Sequence, residues 1–110
     1  IKDMIVSGGE NIYSTEVEAV LFSHPEVVDA AVIGVPDDKL GEVVKACVVI
    51  KEGSPLTDIE LIDFCKEKIA SYKKPRSVDF ISEVPRNASG KVLKKTLREP
   101  YWKGRDRQVS

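Results

Sequence analysis

The stretch VVDAAVIGVPDDKLGEVVKACVVI, residues 27–50, decides the fold because it holds two apolar runs with only a short loop between them. Residues 27–35 and 43–50 are rich in valine and isoleucine, which favour β-strands. The loop PDDKLGE is short enough for the two strands to pair antiparallel. We therefore predict an antiparallel strand pair whose valine, alanine and isoleucine side chains fill one layer of the domain.

The segment before this strand pair has the pattern of a second, smaller β-structure. Residues 4–6 and 11–13 flank the sequence SGGE. Short segments of this kind on either side of a glycine pair are typical of a β-hairpin or a tight loop. The turn requires a positive φ angle at Gly8 or Gly9, which glycine adopts without steric penalty.

Two helices are predicted from capping boxes, in which a threonine N-cap is followed by a glutamate three residues later. Thr15 and Glu18 mark the first helix, which a His-Pro pair ends. Thr57 and Glu60 mark the second helix. Each helix has one apolar face at helical spacing: Val17, Val20 and Leu21 in the first, and Leu61, Ile62, Cys65 and Ile69 in the second.

The rest of the chain adds a third strand, at 77–81, and a final helix. Ser89 is the predicted N-cap of that helix and Pro100 its end. Its residues are predicted to divide between two faces: Leu93 and Leu97 inward, and Lys94, Lys95 and Arg98 outward. The sequence thus predicts an α+β fold, a small domain with a sheet of about three strands, packed helices and an N-terminal β-hairpin.

The composition is that of a globular domain: 110 residues, 42% hydrophobic and 32% charged. That length suits a single domain, and the start at Ile1 suggests a fragment of a longer chain. No apolar run is long enough for a membrane span, and no signal-peptide pattern is present. Cys47 and Cys65 lie in apolar patterns and are interpreted as buried free thiols. We therefore expect a cytoplasmic location, and the C-terminal RQVS is not a peroxisomal signal.

Charge is unevenly distributed along the chain. There are 4 Lys+Arg and 13 Asp+Glu residues through Cys65, and 13 and 5 from Lys66 onward. The basic second half could face an anionic ligand. Alternatively, the two halves attract one another or are simply solvated. No nucleic-acid recognition motif accompanies the charge, so nucleic acid is not an expected partner.

The residue types present argue against several kinds of catalytic site. His24 is the single histidine and lies beside a proline, which argues against a Ser-His-Asp relay and a histidine metal site. No metal site is predicted in this chain. The sequence SGK, residues 89–91, resembles part of a P-loop, but Pro85 replaces the required glycine and Val92 the required Ser or Thr.

Two segments remain as candidates for binding a ligand. SGGEN, residues 7–11, removes side chains from a loop tip, so that the backbone can approach a ligand closely. A plain Gly-Gly turn would show the same spacing. PRNASGK, residues 85–91, places Lys91 in front of the predicted final helix, where a cation opposes the helix dipole. An anion bound by Lys91 and the helix N-terminus would remove this conflict, whereas the alternative is a lysine without a function.

Four segments together resemble a known family: IKDMIVSGGENIYSTEVEAVL, GVPDDKLGEVVKACVV, YKKPRSVDFISEVPRNASGK and VLKKTLRE. They are similar, in this order and over nearly the whole chain, to the C-terminal domain of the acyl-adenylate-forming (ANL) enzymes. Within that superfamily the similarity is greatest to fatty-acid and related acyl-CoA synthetases. Ser14 is a departure, since the family usually has proline there, but serine can also begin a helix.

The resemblance implies a ligase that works in two steps. A carboxylic acid and Mg-ATP give an acyl-adenylate and pyrophosphate, and coenzyme A then gives a thioester and AMP. Residues 1–110 would be the small rotating domain, and its partner would be the large N-terminal domain, which is absent from this sequence. That large domain would bind the acid and ATP and would provide most of the contacts to Mg²⁺. Lys91 matches the lysine that bridges the acid carboxylate and the α-phosphate during adenylation. A cation there offsets the repulsion between the two anions.

The resemblance also implies roles for residues outside the Lys91 loop. Gly8 and Gly9 match the glycine loop that lines the pantetheine tunnel, and Lys2 matches the position at which the domains hinge. An aromatic side chain with neighbouring cations matches the region where some members hold the nucleotide end of CoA: Tyr72, Lys73, Lys74 and Arg76. An adenine ring and phosphates suit those side chains, although basic surface residues leading into a strand are an equal alternative.

Two other functions remain open from the sequence. The first is the corresponding subdomain of a peptide-synthetase adenylation unit, whose acceptor is a carrier-protein phosphopantetheine. The second is a binding module without catalysis. The acid itself cannot be inferred, because in this family its pocket belongs to the N-terminal domain.

Overall fold

A computed structural model describes residues 3–105. The elements, in chain order, are β1 Met4–Ser7, β2 Glu10–Tyr13, α1 Ser14–Phe22, β3 Val27–Asp37, β4 Gly41–Ile50, α2 Asp58–Lys66, a 3₁₀ turn Ser71–Lys73, β5 Ser77–Phe80 and α3 Lys94–Trp102. No helix within residues 3–105 is both long and apolar enough to cross a membrane.

The antiparallel pairing predicted for the two apolar runs is confirmed. β3 and β4 pair from Val27 opposite Ile50 to Asp37 opposite Gly41. Both strands extend beyond their predicted ends into the polar loop, because the Asp37 carboxylate accepts hydrogen bonds from the backbone N–H groups of Lys39 and Leu40. These bonds tighten the turn and allow pairing up to its edge.

Five strands form a single mixed sheet around β4. The spatial order is β2-β1-β4-β3, and β5 pairs parallel to β4. The N-terminal hairpin β1–β2 joins this sheet through the pairing of Ser7 with Gly41. The predicted α+β class and hairpin are confirmed. The sheet has more than the expected three strands because the hairpin is part of it.

The central strands bury side chains on both of their faces, rather than in one layer as predicted. Alternate residues of β3 and β4 point to opposite sides, as the period of a strand requires. The face covered by α1 and α2 contains the larger core: Ile5, Ile12, Val17, Leu21, Ala30, Val32, Val44, Ala46, Val48, Leu61, Cys65 and Val78. The other face contains Ile33, Val35, Val43 and Cys47, against which Leu97 and Tyr101 of α3 pack.

Of the two predicted capping boxes, only the second is present. Thr57 Oγ1 accepts from the Glu60 N–H at 3.2 Å, and Glu60 Oε1 accepts from the Thr57 N–H at 3.0 Å. α1 instead begins at Ser14 without a side-chain cap. Glu18 is used elsewhere, because its carboxylate accepts from the Val32 N–H on the free edge of β3. This tertiary contact removes the glutamate from the capping box that we predicted with Thr15.

The final helix differs from its prediction at both ends. α3 begins at Lys94, not after Ser89, and it continues past Pro100 to Trp102. Its last turn is held to the sheet, since Tyr101 donates a hydrogen bond to Asp79 and Trp102 Nε1 donates to the Gly34 carbonyl at 2.8 Å. Lys94, predicted to point outward, is turned inward with 18% of its side chain exposed.

The two cysteines are buried free thiols, as predicted. Cys47 lies on β4 and Cys65 on α2. Burial raises the pKa of each thiol to about 11, so both are protonated at neutral pH. They act as small apolar residues in the core.

Candidate functional site

Residues 86–92, the lysine loop, form a closed turn on the surface. Arg86 and Val92 pair across its base as an antiparallel bridge. Both guanidinium NH groups of Arg86 bind the Asp29 carboxylate on β3. This double contact holds the pKa of Asp29 below its ordinary value, and it attaches the base of the loop to the sheet.

The interior of the lysine loop is organised by the side chain of Asn87. Its Oδ1 accepts three hydrogen bonds: from Ser89 N–H at 3.0 Å, from Ser89 Oγ at 2.8 Å and from Lys91 N–H at 2.9 Å. The Asn87 N–H also donates to the Lys91 carbonyl at 2.9 Å. Gly90 has a φ of 89°, a conformation that glycine provides. Ser89, predicted as a helix cap, therefore works within the loop.

Lys91 combines a restrained backbone with an exposed side chain. Among residues 3–105, its ammonium has no hydrogen-bond or ion-pair partner. It precedes α3 by three residues and so does not lie in the first turn of that helix. The arrangement presents a positive charge outward from a closed loop, where a ligand or another domain can reach it.

The β1–β2 turn has two glycines at its tip, which lies beside the turn between β3 and β4. Gly8 has a φ of 56° and Gly9 a φ of 85°, so the predicted positive φ occurs at both positions. The Gly8 N–H donates to the Leu40 carbonyl at 2.9 Å, and a Cβ on Gly8 would lie 3.0 Å from the Leu40 side chain. A Cβ on Gly9 would meet nothing within 4 Å. The backbone of Gly9 is therefore open to whatever approaches the tip.

The glycine turn and residues 72–76, the basic segment, line the same cleft, although they lie far apart in the sequence. The cleft has a volume of about 550 Å³. Its lining combines small, apolar and basic side chains: Ser7, Gly8, Leu40, Val44, Ser71, Tyr72, Lys74 and Arg76. The structure thus brings Gly8 together with Tyr72, Lys74 and Arg76. Gly9 lies beside this group at the tip and is not among the lining residues.

The cations of the basic segment differ in their availability. Lys73, which is outside the cleft, is held by both oxygens of the Glu16 carboxylate at 2.9 and 3.1 Å. Lys74 donates one hydrogen bond to the Ser71 carbonyl at 3.3 Å. The Arg76 backbone is fixed by its N–H bond to the Val44 carbonyl at 2.8 Å, whereas its side chain is exposed. Lys74 and Arg76 are therefore the cations that can meet an anion in the cleft.

Lys2, which the resemblance placed at a hinge, lies outside the described residues. Two residues beside the lysine loop have the opposite orientation to the one predicted: Leu93 is 37% exposed, and Lys94 points inward. Lys94 shares a helix face with Leu97 and Tyr101, at i+3 and i+7, and both of those pack on the sheet. That periodicity could have predicted its inward orientation. Among residues 3–105, no three His, Cys, Asp or Glu side chains are grouped so as to hold a metal ion.

Comparisons with known proteins agree on one family. Residues 16–91 match the model of the AMP-binding enzyme C-terminal domain. A 3-[(3aS,4S,7aS)-7a-methyl-1,5-dioxo-octahydro-1H-inden-4-yl]propanoyl:CoA ligase of Rhodococcus jostii is 52% identical over 99 residues, covering 90% of this chain and 19% of that protein. A 2-succinylbenzoate–CoA ligase of Bacillus cereus is 50% identical over 97 residues, covering 88% and 20%.

Solved structures show the same similarity in three dimensions. ATP-bound MatB from Rhodopseudomonas palustris superposes with a TM-score of 0.88 at 37% identity, covering 96% of this chain and 21% of that one. A Mycobacterium tuberculosis fatty acyl CoA synthetase gives a TM-score of 0.85 at 44% identity, covering 90% and 20%. The chain spans about a fifth of the length of these relatives. It belongs to the family of AMP-binding enzyme C-terminal domains.

Proposed function

We propose that this chain is the C-terminal domain of an ATP-dependent, AMP-forming carboxylic acid–CoA ligase. In the first step the acid carboxylate attacks the α-phosphate of ATP, giving an acyl-adenylate and pyrophosphate. In the second step the CoA thiol attacks the acyl carbon, loses its proton and releases AMP. The relatives with the same domain are named as CoA ligases, which favours this function over a carrier-protein acceptor.

The observation that carries the proposal is the exposed ammonium of Lys91 on a loop closed by Asn87. Two anions, a carboxylate and a phosphate, must meet during adenylation. A preorganised cation between them lowers their repulsion and stabilises the charge of the transition state. Because the Lys91 ammonium has no ion-pair partner among residues 3–105, no such pair has to break before it meets the two anions. Its role is to enter the site of the larger domain when the two domains close.

The cleft beside the glycine turn is proposed as the CoA side of the domain. Gly8 and Gly9 leave a strip of backbone that a narrow pantetheine chain can pass, and a bulky side chain would obstruct it. Lys74 and Arg76 suit the phosphates of the CoA nucleotide, and the Tyr72 ring offers an apolar face for adenine. The position of Gly8 and these three side chains around one cleft supports this assignment.

The remaining parts of the reaction are assigned outside this chain. The partner is the larger N-terminal domain, with Lys2 at the hinge between the two. That domain would bind the acid, ATP and the Mg²⁺ that accompanies ATP, since residues 3–105 contain no grouped metal ligands. The relatives include both a fatty acyl CoA synthetase and a 2-succinylbenzoate–CoA ligase. We therefore propose a carboxylic acid as the substrate, and a fatty acid is one candidate. The two free thiols accord with the cytoplasm as its location.

The test is to follow the two half-reactions of the full-length protein that contains this chain. Acid-dependent exchange of pyrophosphate into ATP reports adenylation, and loss of the free CoA thiol with formation of AMP reports the second step. We expect both, with one CoA consumed per AMP formed. A full-length protein that binds acids or nucleotides but exchanges no pyrophosphate with a panel of fatty and aromatic acids would contradict the proposal and favour a binding module.

A further inference from the structure

Lys94, the first residue of α3, has its ammonium enclosed by acceptors from three other parts of the chain. Its Nζ lies 2.6 Å from Asp3 Oδ2 and 2.7 Å from Glu18 Oε2. It also donates to the Val32 carbonyl at 2.8 Å and to Ser14 Oγ at 3.1 Å. The N-terminal segment, α1, β3 and α3 therefore meet at one side chain.

The charges in this cluster favour its ionised form. Burial acts to raise the pKa of Asp3, but the hydrogen bond and charge of Lys94, the Ser14 hydroxyl and the charge of Arg98 together hold that pKa below its ordinary value. Asp3 is thus an anion at neutral pH. Removing the ammonium would leave the Asp3 and Glu18 carboxylates close to each other and without their shared cation, which is strongly unfavourable in a partly buried position.

The connection from Lys94 back to Lys91 has little freedom. Only Val92 and Leu93 separate the two lysines. Val92 pairs with Arg86 across the base of the lysine loop, and the Leu93 N–H donates to the Pro85 carbonyl at 2.9 Å. A displacement of the start of α3 must therefore move the lysine loop with it.

The other end of the contact lies next to the expected hinge. Asp3 directly follows Lys2, at which the proposed function places the rotation between domains. The backbone of Asp3 is itself held, because its carbonyl accepts from Ser14 N–H at 3.1 Å and from Ser14 Oγ at 3.2 Å. Lys94 thus joins the residue at the start of the rotating body to the segment that carries Lys91.

We propose that Lys94 is a positioning residue for adenylation. Its contacts make the lysine loop move together with Asp3 when the domain rotates at the hinge. This inference rests on the proposed function of Lys91. Lys94 does not touch a substrate. Its ammonium keeps α3 and the lysine loop at a constant position relative to Asp3, so that closure of the domains brings Lys91 to the same place in each turnover.

The test compares Lys94→Met with Lys95→Met in the full-length ligase. Methionine keeps the unbranched apolar stem of lysine without its ammonium, and Lys95 is the exposed neighbour on α3. We expect Lys94→Met to lower kcat for adenylation about 100-fold, since a displacement of about 1 Å can have that effect. KM for ATP and for the acid should remain near the parent values, as should thioester formation from added acyl-adenylate. Lys95→Met should match the parent, and Lys94→Arg should recover most of the lost rate.

Two further variants separate positioning from folding. Asp3→Asn should slow adenylation in the same way, and combining it with Lys94→Met should add little. Adding Glu18→Gln to Lys94→Met removes one unpaired carboxylate, and this double variant should fold while keeping the selective loss of adenylation. Equal losses in both half-reactions, or normal adenylation in folded Lys94→Met, would overturn the positioning role.

Lys91→Ala in the same enzyme distinguishes the two levels of the proposal. Slow adenylation in Lys91→Ala together with normal adenylation in Lys94→Met would reject only the positioning role. Normal adenylation in Lys91→Ala would reject the role proposed for Lys91, and the positioning role with it, whereas absence of adenylation in the unsubstituted full-length protein would reject the proposed function itself.

Discussion

Lys91 and Lys94 are three residues apart and have opposite surroundings. The Lys94 ammonium is held by two carboxylates, a carbonyl and a hydroxyl, so it is already neutralised by the fold. The Lys91 ammonium has no such partner among residues 3–105, whereas its backbone is bonded on both sides to Asn87. A lysine whose backbone is restrained and whose charge is left unpaired can act on an incoming anion. The same side chain type thus serves structure at Lys94 and is available to a ligand at Lys91.

Lys91→Ala in the full-length ligase should slow adenylation by about 100- to 1,000-fold or more, because a preorganised charge contact in a closed site contributes about 3–4 kcal/mol. Thermal stability should remain unchanged, since the exposed side chain buries little surface. Thioester formation from added acyl-adenylate should also continue, because the role proposed for Lys91 ends when pyrophosphate leaves. Pyrophosphate exchange and CoA consumption measure the two steps separately. Loss of adenylation in Lys95→Ala, but not in Lys91→Ala, would show that the wrong lysine has been assigned.

Gly9→Leu tests the glycine turn at the level of one residue. The added side chain would project into open space, so it would not clash within the domain. In the full-length ligase it should therefore block the pantetheine path and slow thioester formation, while adenylation continues. A leucine at a φ of 85° also strains the backbone, by about 1 kcal/mol.

Gly53→Leu is the matched control for that strain. Gly53 also has a positive φ, 77°, and its Cβ would also meet nothing within 4 Å, but it lies in the turn after β4 and not at the cleft. It should lower the free energy of unfolding to a similar extent and leave both half-reactions intact. Similar losses of thioester formation in the two variants would assign the effect to backbone strain and reject the tunnel role.

At the level of elements, α1 and α3 are positioned by polar bonds to the free edge of β3. The Val32 N–H donates to Glu18, and the Val32 and Gly34 carbonyls accept from Lys94 and Trp102. Side chains thus satisfy backbone groups that a neighbouring strand would otherwise pair, which also protects the edge from other chains. The Glu18 contact explains why the local pattern failed at the start of α1, and the hydrogen bonds of Ser89 to Asn87 explain the failure at the start of α3. The apolar periodicity of a helix is visible in its sequence, but a glutamate bound to a distant strand looks the same as one in a capping box.

Thr57→Ala should remove the capping box of α2 and lower the free energy of unfolding by about 1 kcal/mol. Urea titration of the full-length ligase and its variants, followed by a probe in this domain, would measure the change. Thr15→Ala is the control, because Thr15 is exposed and makes no capping bond in α1. A loss from Thr15→Ala as large as that from Thr57→Ala would contradict the observed start of α1 at Ser14.

At the level of the whole molecule, part of the uneven charge of the sequence is paired within the fold. Five pairs of residues described in the structure join a basic residue after position 65 to an acidic residue before it: Lys73–Glu16, Arg86–Asp29, Lys94–Asp3, Lys94–Glu18 and Arg105–Asp38. The alternative that the two halves attract one another is therefore supported. Lys74, Arg76 and Lys91 are the basic residues that the proposed sites use instead.

The sequence predicted the strands, the hairpin, the apolar faces of α1 and α2 and the α+β class, because each depends on local periodicity and turn residues. It assigned Leu93 and Lys94, at the start of α3, to the wrong faces. It could not predict that β3 and β4 would be buried on both faces, since that depends on where α3 packs. It also could not show that Gly8 and Arg76 border the same cleft. Only the pairing of β4 with β5 and with the hairpin brings those segments together. The sites are thus properties of the assembled sheet, while the residues that form them are visible in the chain.

The chain expressed alone should fold but should not adenylate an acid. Two cores, one on each face of the sheet, give it a buried interior of its own. It carries Lys91, but residues 3–105 include no grouped metal ligands and no P-loop that could hold Mg-ATP. Circular dichroism with a cooperative thermal transition would report folding, and acid-dependent pyrophosphate exchange would report chemistry, with the full-length ligase as the positive control. Pyrophosphate exchange by the purified chain alone would contradict the proposal that ATP binds to the N-terminal domain, because one domain would then hold both the lysine and the nucleotide.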